Sequence, residues 1–117
     1  MYNRYGDSMY YVYILRCQDH SLYTGITNQI EKRLKEHFFR LPQCAKYTKS
    51  HHAKTLEALW CCENRSEASK LEYYIKQLSK DKKELLISEN CLDALLSCKI
   101  DIQKYQRQDE QRYCNFI

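Results

Sequence analysis

Met9-Tyr10-Tyr11-Val12-Tyr13-Ile14-Leu15 is the stretch on which the fold turns. Aromatic and β-branched residues occupy both parities, so neither side of a strand here is polar, and the pattern predicts a strand covered on both faces. Gln18-Asp19-His20-Ser21 reads as a turn and Leu22-Tyr23-Thr24-Gly25-Ile26-Thr27 as a second strand, which makes a hairpin. A loop of odd length, such as 18–20, would set Leu15 opposite Tyr23 and put the rings of Tyr13 and Tyr23 on one face; an even loop would separate them. Gly25 weakens a strand interior, so it marks either a bulge or a close backbone approach.

Working outward, Ile30, Leu34, Phe38 and Leu41 repeat at helical spacing and predict a first helix ended by Pro42. A polar, basic loop from Gln43 to Lys54 follows, carrying Lys46, Lys49, His51 and His52. Leu56, Ala58 and Trp60 alternate as a third strand would. Asn64, three residues before Glu67, is placed to cap a helix whose buried stripe is Ala68, Leu71, Ile75 and Leu78. Ser79 is placed to cap another, through Leu85, Leu86 and Ile87. Leu92, Leu95 and Leu96 predict one more amphipathic turn or two. From Gln103 onward the chain is polar and mixed in charge, and the expectation is a poorly ordered tail that the fold does not need. The division is thus a short mobile leader over residues 1–8, a domain over 9–89, and a helical extension with a polar tail over 90–117.

The whole chain has 117 residues, 44% of them hydrophobic, which suits one globular domain. It holds no apolar run of membrane-spanning length, and Met1–Ser8 is too polar for a secretory signal. Seven cysteines, an odd count with no C-x-x-C pair, read as reduced thiols in a cytoplasmic setting rather than as a disulfide framework, a zinc site or a redox motif. The net charge is +4. All of the excess lies in residues 1–89, because Lys99, Lys104, Arg107 and Arg112 are balanced by Asp93, Asp101, Asp109 and Glu110. A polyanionic partner fits that distribution.

Three charges stand in apolar stripes. Arg33 and His37, four apart, fall on or beside the stripe of the first helix, and Glu72 lies inside that of the later one. Charges aimed toward a core are costly unless paired or functional. A structural Arg33–Glu72 ion pair, side chains snorkelling at the core edge, and a catalytic role are all open from the pattern.

Val12-Tyr13-Ile14, Tyr23-Thr24-Gly25, Glu31-Lys32-Arg33-Leu34 and His37, in that order, resemble the GIY-YIG nuclease superfamily, and most of all its small single-domain bacterial branch. Ala45-Lys46-Tyr47-Thr48 and the run from Arg65 to Glu72 and Lys76 extend the likeness over about residues 9–88. Tyr11 stands where the first motif has glycine, and His20 where relatives tend to have a turn glycine. The resemblance implies an α/β (α+β) fold, a three-stranded antiparallel sheet flanked by helices. It implies a metal-dependent endonuclease acting on DNA, in DNA repair or recombination, with Mg²⁺ or Mn²⁺ as cofactor. Position by position, it implies catalytic roles for Tyr13, Tyr23, Arg33, His37 and Glu72. Arg33 would hold the scissile phosphate, Glu72 the metal, and Tyr13 or Tyr23 the attacking water. Lys46, Lys49 and His52 are the residues expected to bind nucleic acid. A non-catalytic nucleic-acid-binding protein on the same fold is the alternative, since a fold does not fix an activity.

Overall fold

The computed structural model describes residues 9–113. Its centre is β1 (Tyr10–Cys17), whose residues Val12 to Leu15 are all fully buried, as a strand apolar on both parities requires. β1 pairs antiparallel with β2 (Leu22–Thr27) on one side and β3 (Ala53–Cys62) on the other. A short β4 (Gln106–Arg107) pairs antiparallel with β3, so the sheet has four strands in the order β2-β1-β3-β4 rather than the expected three. The fourth comes from the segment expected to be a loose tail.

Helices cover both faces. α1 (Ile30–Phe38) lays Ile30, Leu34 and Phe38 against Tyr13, Leu15, Leu56 and Leu59. The opposite face, with Val12, Ile14, Ala58 and Trp60, packs against α3 (Arg65–Gln77), α4 (Lys80–Glu89) and α5 (Leu92–Leu96) through Leu71, Ile75, Leu86 and Leu96. The two N-caps read from sequence are in place: Asn64 accepts from the Glu67 amide at 2.9 Å and Ser79 from the Lys82 amide at 3.2 Å.

Three local features depart from the sequence reading. Leu56 and Ala58, two residues apart, lie in different cores, because Leu15 pairs with Leu56 while Ile14 pairs with Ala58 and Glu57 is the extra residue of a bulge. Glu57 is held there by Arg16, which also grips Glu84 of α4 with contacts of 2.7 and 2.5 Å. The first helix stops at Phe38, not at Leu41. Arg40 takes φ 51°, its amide bonds the His37 carbonyl at 3.3 Å and the Leu41 amide bonds that of Glu36 at 2.9 Å, which is a Schellman ending with arginine in the left-handed position. Leu41 is therefore turned out to solvent. The stretch expected as a loop from Gln43 to Lys54 contains α2 (Lys46–Ser50) and gives its last two residues to β3.

Residues 103–113 are ordered. Tyr105 is buried and its hydroxyl donates to the Glu67 carbonyl at 2.7 Å; the Arg107 guanidinium lies 5.2 Å from the centre of the Trp60 ring; the Gln108 amide bonds the Leu59 carbonyl at 2.7 Å. Leu92, Leu96, Ile100 and Tyr105 join the Trp60 core. The leader, Met1–Ser8, and the last four residues lie outside the described residues.

Burying a large apolar side chain stabilises by about 1.5–3 kcal/mol as an upper figure. Ending the chain after Glu89 removes four such residues and the cover over Trp60. Against a typical total of ~5–15 kcal/mol, we expect the shortened chain to be largely unfolded or to show a much lower denaturant midpoint. Emission from Trp60, the single tryptophan, should shift to the red. An unchanged midpoint would show that the extension is an appendage.

Candidate active site

Strand alternation aims Tyr13 at the α1 side of the sheet. The hairpin connection is residues 18–20, with Arg16 opposite Leu22, Leu15 opposite Tyr23 and Tyr13 opposite Gly25. The odd loop therefore brings the two tyrosines to one face, ring centres 6.2 Å apart. No register shift occurs along this pair, so Gly25 is a close approach and not a bulge. A Cβ there would stand 2.5 Å from the Tyr13 hydroxyl oxygen and 2.7 Å from Cζ, so only glycine lets that ring lie across β2. His20 takes φ 71° in the loop, a conformation that favours glycine.

α1 supplies the next groups. His37 is fully buried under Tyr13 and Tyr23, its ring centre 5.5 and 5.4 Å from theirs. Its Nε2 lies 2.8 Å from the Tyr13 hydroxyl and its Nδ1 2.8 Å from Oγ1 of Thr48, a buried residue of α2. The Thr48 hydroxyl in turn donates to the Ala45 carbonyl at 3.1 Å. Arg33, one turn before His37, is half-buried. Its Nη1 donates to Glu36 at 2.8 Å and to the Gln43 carbonyl at 2.6 Å, and its guanidinium approaches the Tyr13 oxygen. The Arg33–Glu72 ion pair left open by the pattern is not formed. Glu72 pairs with Lys76 at 3.3 Å, yet its charge is felt at the Tyr13 hydroxyl.

Burial, then the charge of Tyr23, holds the Tyr13 phenol above its usual range, with Arg33 opposing. Burial, then the Arg33 charge, pushes the His37 imidazole down to about 4, so it is neutral at physiological pH.

Of the residues expected to meet nucleic acid, Lys46 and Lys49 are exposed on α2. His52 is half-buried and its Nε2 lies 3.3 Å from the Phe38 carbonyl oxygen. Sequence reasoning passed over Glu36, Thr48 and the stack in which Tyr47 lies over Tyr23 (5.7 Å) and His51 over Tyr47 (4.2 Å). The one available signal is Ala45-Lys46-Tyr47-Thr48, a motif of the resemblance in which only Lys46 carries an expected role.

A hollow of about 200 Å³ lies beside Arg33, lined also by Thr27, Asn28, Gln29, Lys32 and Glu36. A larger one, about 640 Å³, is set elsewhere between β3, α4 and the extension, and its lining includes Glu57, Asp109 and Glu110, the wrong charge for a phosphate. The six cysteines among the described residues are free. Burial raises the thiols of Cys17 and Cys61 and pushes that of Cys62 up to about 12, which disfavours the reactive thiolate at these three positions. No group of three His, Cys, Asp or Glu side chains able to hold a metal occurs among the described residues. A single carboxylate still fits Mg²⁺, which keeps several waters and takes substrate phosphate oxygens as ligands.

Two motif tyrosines thus share one face of a hairpin, with Arg33 and His37 of α1 packed beside them. The GIY-YIG catalytic domain matches residues 9–84, from β1 into α4. The chain is 46% identical over 80 residues to the UPF0213 protein of Fusobacterium nucleatum, covering 68% of this chain and 78% of that one. It is 46% identical over 84 residues to the UPF0213 protein of Clostridium perfringens, covering 72% and 88%. The solution NMR structure of the UPF0213 protein BH0048 from Bacillus halodurans is 42% identical, covers 68% of this chain and 83% of that one, and superposes with a TM-score of 0.45. The chain belongs to the GIY-YIG nuclease superfamily, in the branch of the UPF0213 proteins.

The neutral His37 has a measurable consequence. Its pKa is about 4 folded and near ~6.5 in an unfolded chain, so between those values the unfolded state holds a proton that the folded state does not. Stability is therefore full above pH ~6.5, falls as pH drops toward 4, and levels off below that. His37→Gln should flatten this part of the stability profile, read by urea denaturation at steps from pH 7 to 4. A slope that survives the substitution would place its source outside His37.

Proposed function

We propose that the chain is a divalent-metal-dependent endonuclease that hydrolyses DNA phosphodiester bonds, in DNA repair or recombination in the cytoplasm. The observation that supports the reading is convergence: residues 13, 23, 33 and 37, scattered over two strands and a helix, pack together at the Tyr13 hydroxyl, and the charge of Glu72 on α3 acts on that hydroxyl. No described helix is long and apolar enough to cross a membrane.

The parts divide by exposure. Tyr13 is 0% exposed and its hydroxyl lies against His37, whereas Tyr23 is half-buried. That difference supports assigning Tyr23 to meet the attacking water and Tyr13 to brace the site. A phenol with a pKa near ~10 is a weak ground-state base, and nearby positive charge favours its ionised, proton-accepting form. Arg33 spends Nη1 on Glu36 and Gln43, which leaves Nε and Nη2 for the Tyr13 oxygen and for a phosphate. Glu72 would hold the metal once released from Lys76. When bound, Mg²⁺ or Mn²⁺ supplies Lewis-acid charge at the phosphate. Lys46 and Lys49 of α2 track the backbone.

One observation favours non-catalytic binding: Glu72 and Arg33 each already have an opposite charge beside them, Lys76 and Glu36. Nicking assays on single-stranded, duplex and branched DNA with Mg²⁺, Mn²⁺ or EDTA separate the readings. We expect metal-dependent nicks, abolished in Glu72→Gln with DNA binding kept. Tyr23→Phe should lower the rate by ~10²–10⁴-fold, the range for general-base catalysis. Salt-sensitive binding without nicks under any metal would establish the binder instead.

A second measurement concerns α2. Replacing Lys46 and Lys49 together by alanine should weaken binding to all sequences alike. It should also flatten the dependence of log affinity on log salt by about 0.9 for each duplex phosphate that the lysines no longer neutralise. An unaltered slope would move the binding face away from α2.

A further inference from the structure

We propose that Thr48 is a positioning residue for the phosphate-gripping Arg33, acting through a one-way string of buried hydrogen bonds that runs from Tyr13 through His37 into α2. The inference rests on the endonuclease reading of the site and goes beyond it.

The direction of the string follows from counting protons. A threonine hydroxyl has one to give. Oγ1 of Thr48 is 3.1 Å from the Ala45 carbonyl, which can only accept, so the proton goes there. The 2.8 Å contact between Oγ1 and Nδ1 of His37 must then be donated by the ring. A neutral imidazole carries one N–H, so Nε2 is bare and accepts the Tyr13 hydroxyl at 2.8 Å. With its proton directed at His37, the Tyr13 oxygen turns its lone pairs to the side from which Arg33 approaches. The opposite tautomer, with the proton on Nε2, would drive the Tyr13 proton toward the guanidinium and set donor against donor.

Thr48 selects between these arrangements. A hydroxyl buried for packing alone is satisfied by its own helical turn, which Ala45 already provides; the contact to His37 is additional. His37, Tyr13 and Thr48 are all fully buried, so no solvent competes for either tautomer. The same five-residue helix exposes Lys46 and Lys49. A displacement of α2 by a bound backbone therefore reaches, through two hydrogen bonds, the Tyr13 oxygen that Arg33 approaches.

The test uses the full chain with Thr48→Val, which keeps the shape and removes the hydroxyl, and Thr48→Ser, which keeps the hydroxyl. Nitrogen-15 imidazole NMR reads the His37 tautomer, and cleavage kinetics in saturating metal, with binding of a short DNA oligonucleotide, read the grip. Melting of each variant, followed by Trp60 fluorescence, confirms folding. We expect wild type and Thr48→Ser to hold the proton on Nδ1, and Thr48→Val to move it to Nε2. Thr48→Val should lose ~10–10²-fold in kcat/KM, the scale found for partners that orient metal-bound histidines, and Thr48→Ser should restore it. A wild-type His37 protonated on Nε2, a folded Thr48→Val that cuts and binds as wild type does, or a Thr48→Ser as impaired as the valine variant would each overturn the proposal. If wild type cuts no DNA, it is the endonuclease reading that fails. The tautomer and the oligonucleotide affinity then still decide the role of Thr48: no change in either overturns it, and loss of both upholds it.

Discussion

The hydroxyl of Tyr13 has no water to turn to, and the elements of the site are arranged around that fact. It sits in the interior because β1 is covered on both faces, and it reaches over β2 only because Gly25 lacks a Cβ. Left without a partner, a buried hydroxyl costs about 1–3 kcal/mol. His37 meets that need, but a buried imidazole has a second nitrogen to satisfy, and Thr48 meets that one. The sequence of obligations ends at a backbone carbonyl, Ala45, at the start of α2. One requirement thus fixes the hairpin, α1 and α2 relative to each other, and these are the three elements that carry Tyr13, Tyr23, Arg33 and the exposed lysines.

Two arginines near the sheet differ in how far their surroundings occupy their donors. Arg16 is forked onto Glu57 and Glu84 at once, so its donors are taken by carboxylates from β3 and α4. It clamps a bulge to a helix and has little left to offer a ligand. Arg33 faces a single carboxylate and a carbonyl, both through Nη1, and retains donors beside an open hollow. Glu36, itself buried, therefore holds Arg33 in place without neutralising its reach. Apolar pattern alone does not tell the two arginines apart, since each stands next to one; in the sequence only the resemblance singles out Arg33.

What could be read in advance was whatever depends on period and parity. The hairpin was legible, with its loop parity left open until the register showed Tyr13 and Tyr23 on one face, and the stripes of α1 and α3 placed Arg33, His37 and Glu72 near a core. The misreadings all concern conformations without a marker residue. The β3 bulge at Glu57 has neither glycine nor proline, and arginine occupies the left-handed end of α1, so Leu41 looked helical. The extension misled for a related reason: its polar composition conceals that Tyr105 enters the Trp60 core while Arg107 lies over the Trp60 ring. The partners of His37, Arg33 and Glu72 are long-range or same-helix choices among several acids and hydroxyls. Pattern names the candidates for such contacts, and only packing selects among them.

The division of labour between the two tyrosines follows from their separation. Phenolate charges 6.2 Å apart at ring centres oppose each other, and Tyr23 already raises the pKa of Tyr13. Charging both would cost repulsion, so on the proposed reading a single phenol takes the base role. Burial provides the asymmetry. The fully enclosed Tyr13 is held protonated by desolvation and by its contact with His37, while Tyr23 is half-open and stacked on Tyr47, within reach of solvent. Exchanging the two roles would require Tyr13 to ionise without water, against a neutral histidine whose pKa of about 4 makes it a poor acceptor. On the proposed reading, the packing of β1 leaves the water-facing role to Tyr23 on β2, the outermost strand at that end of the described sheet.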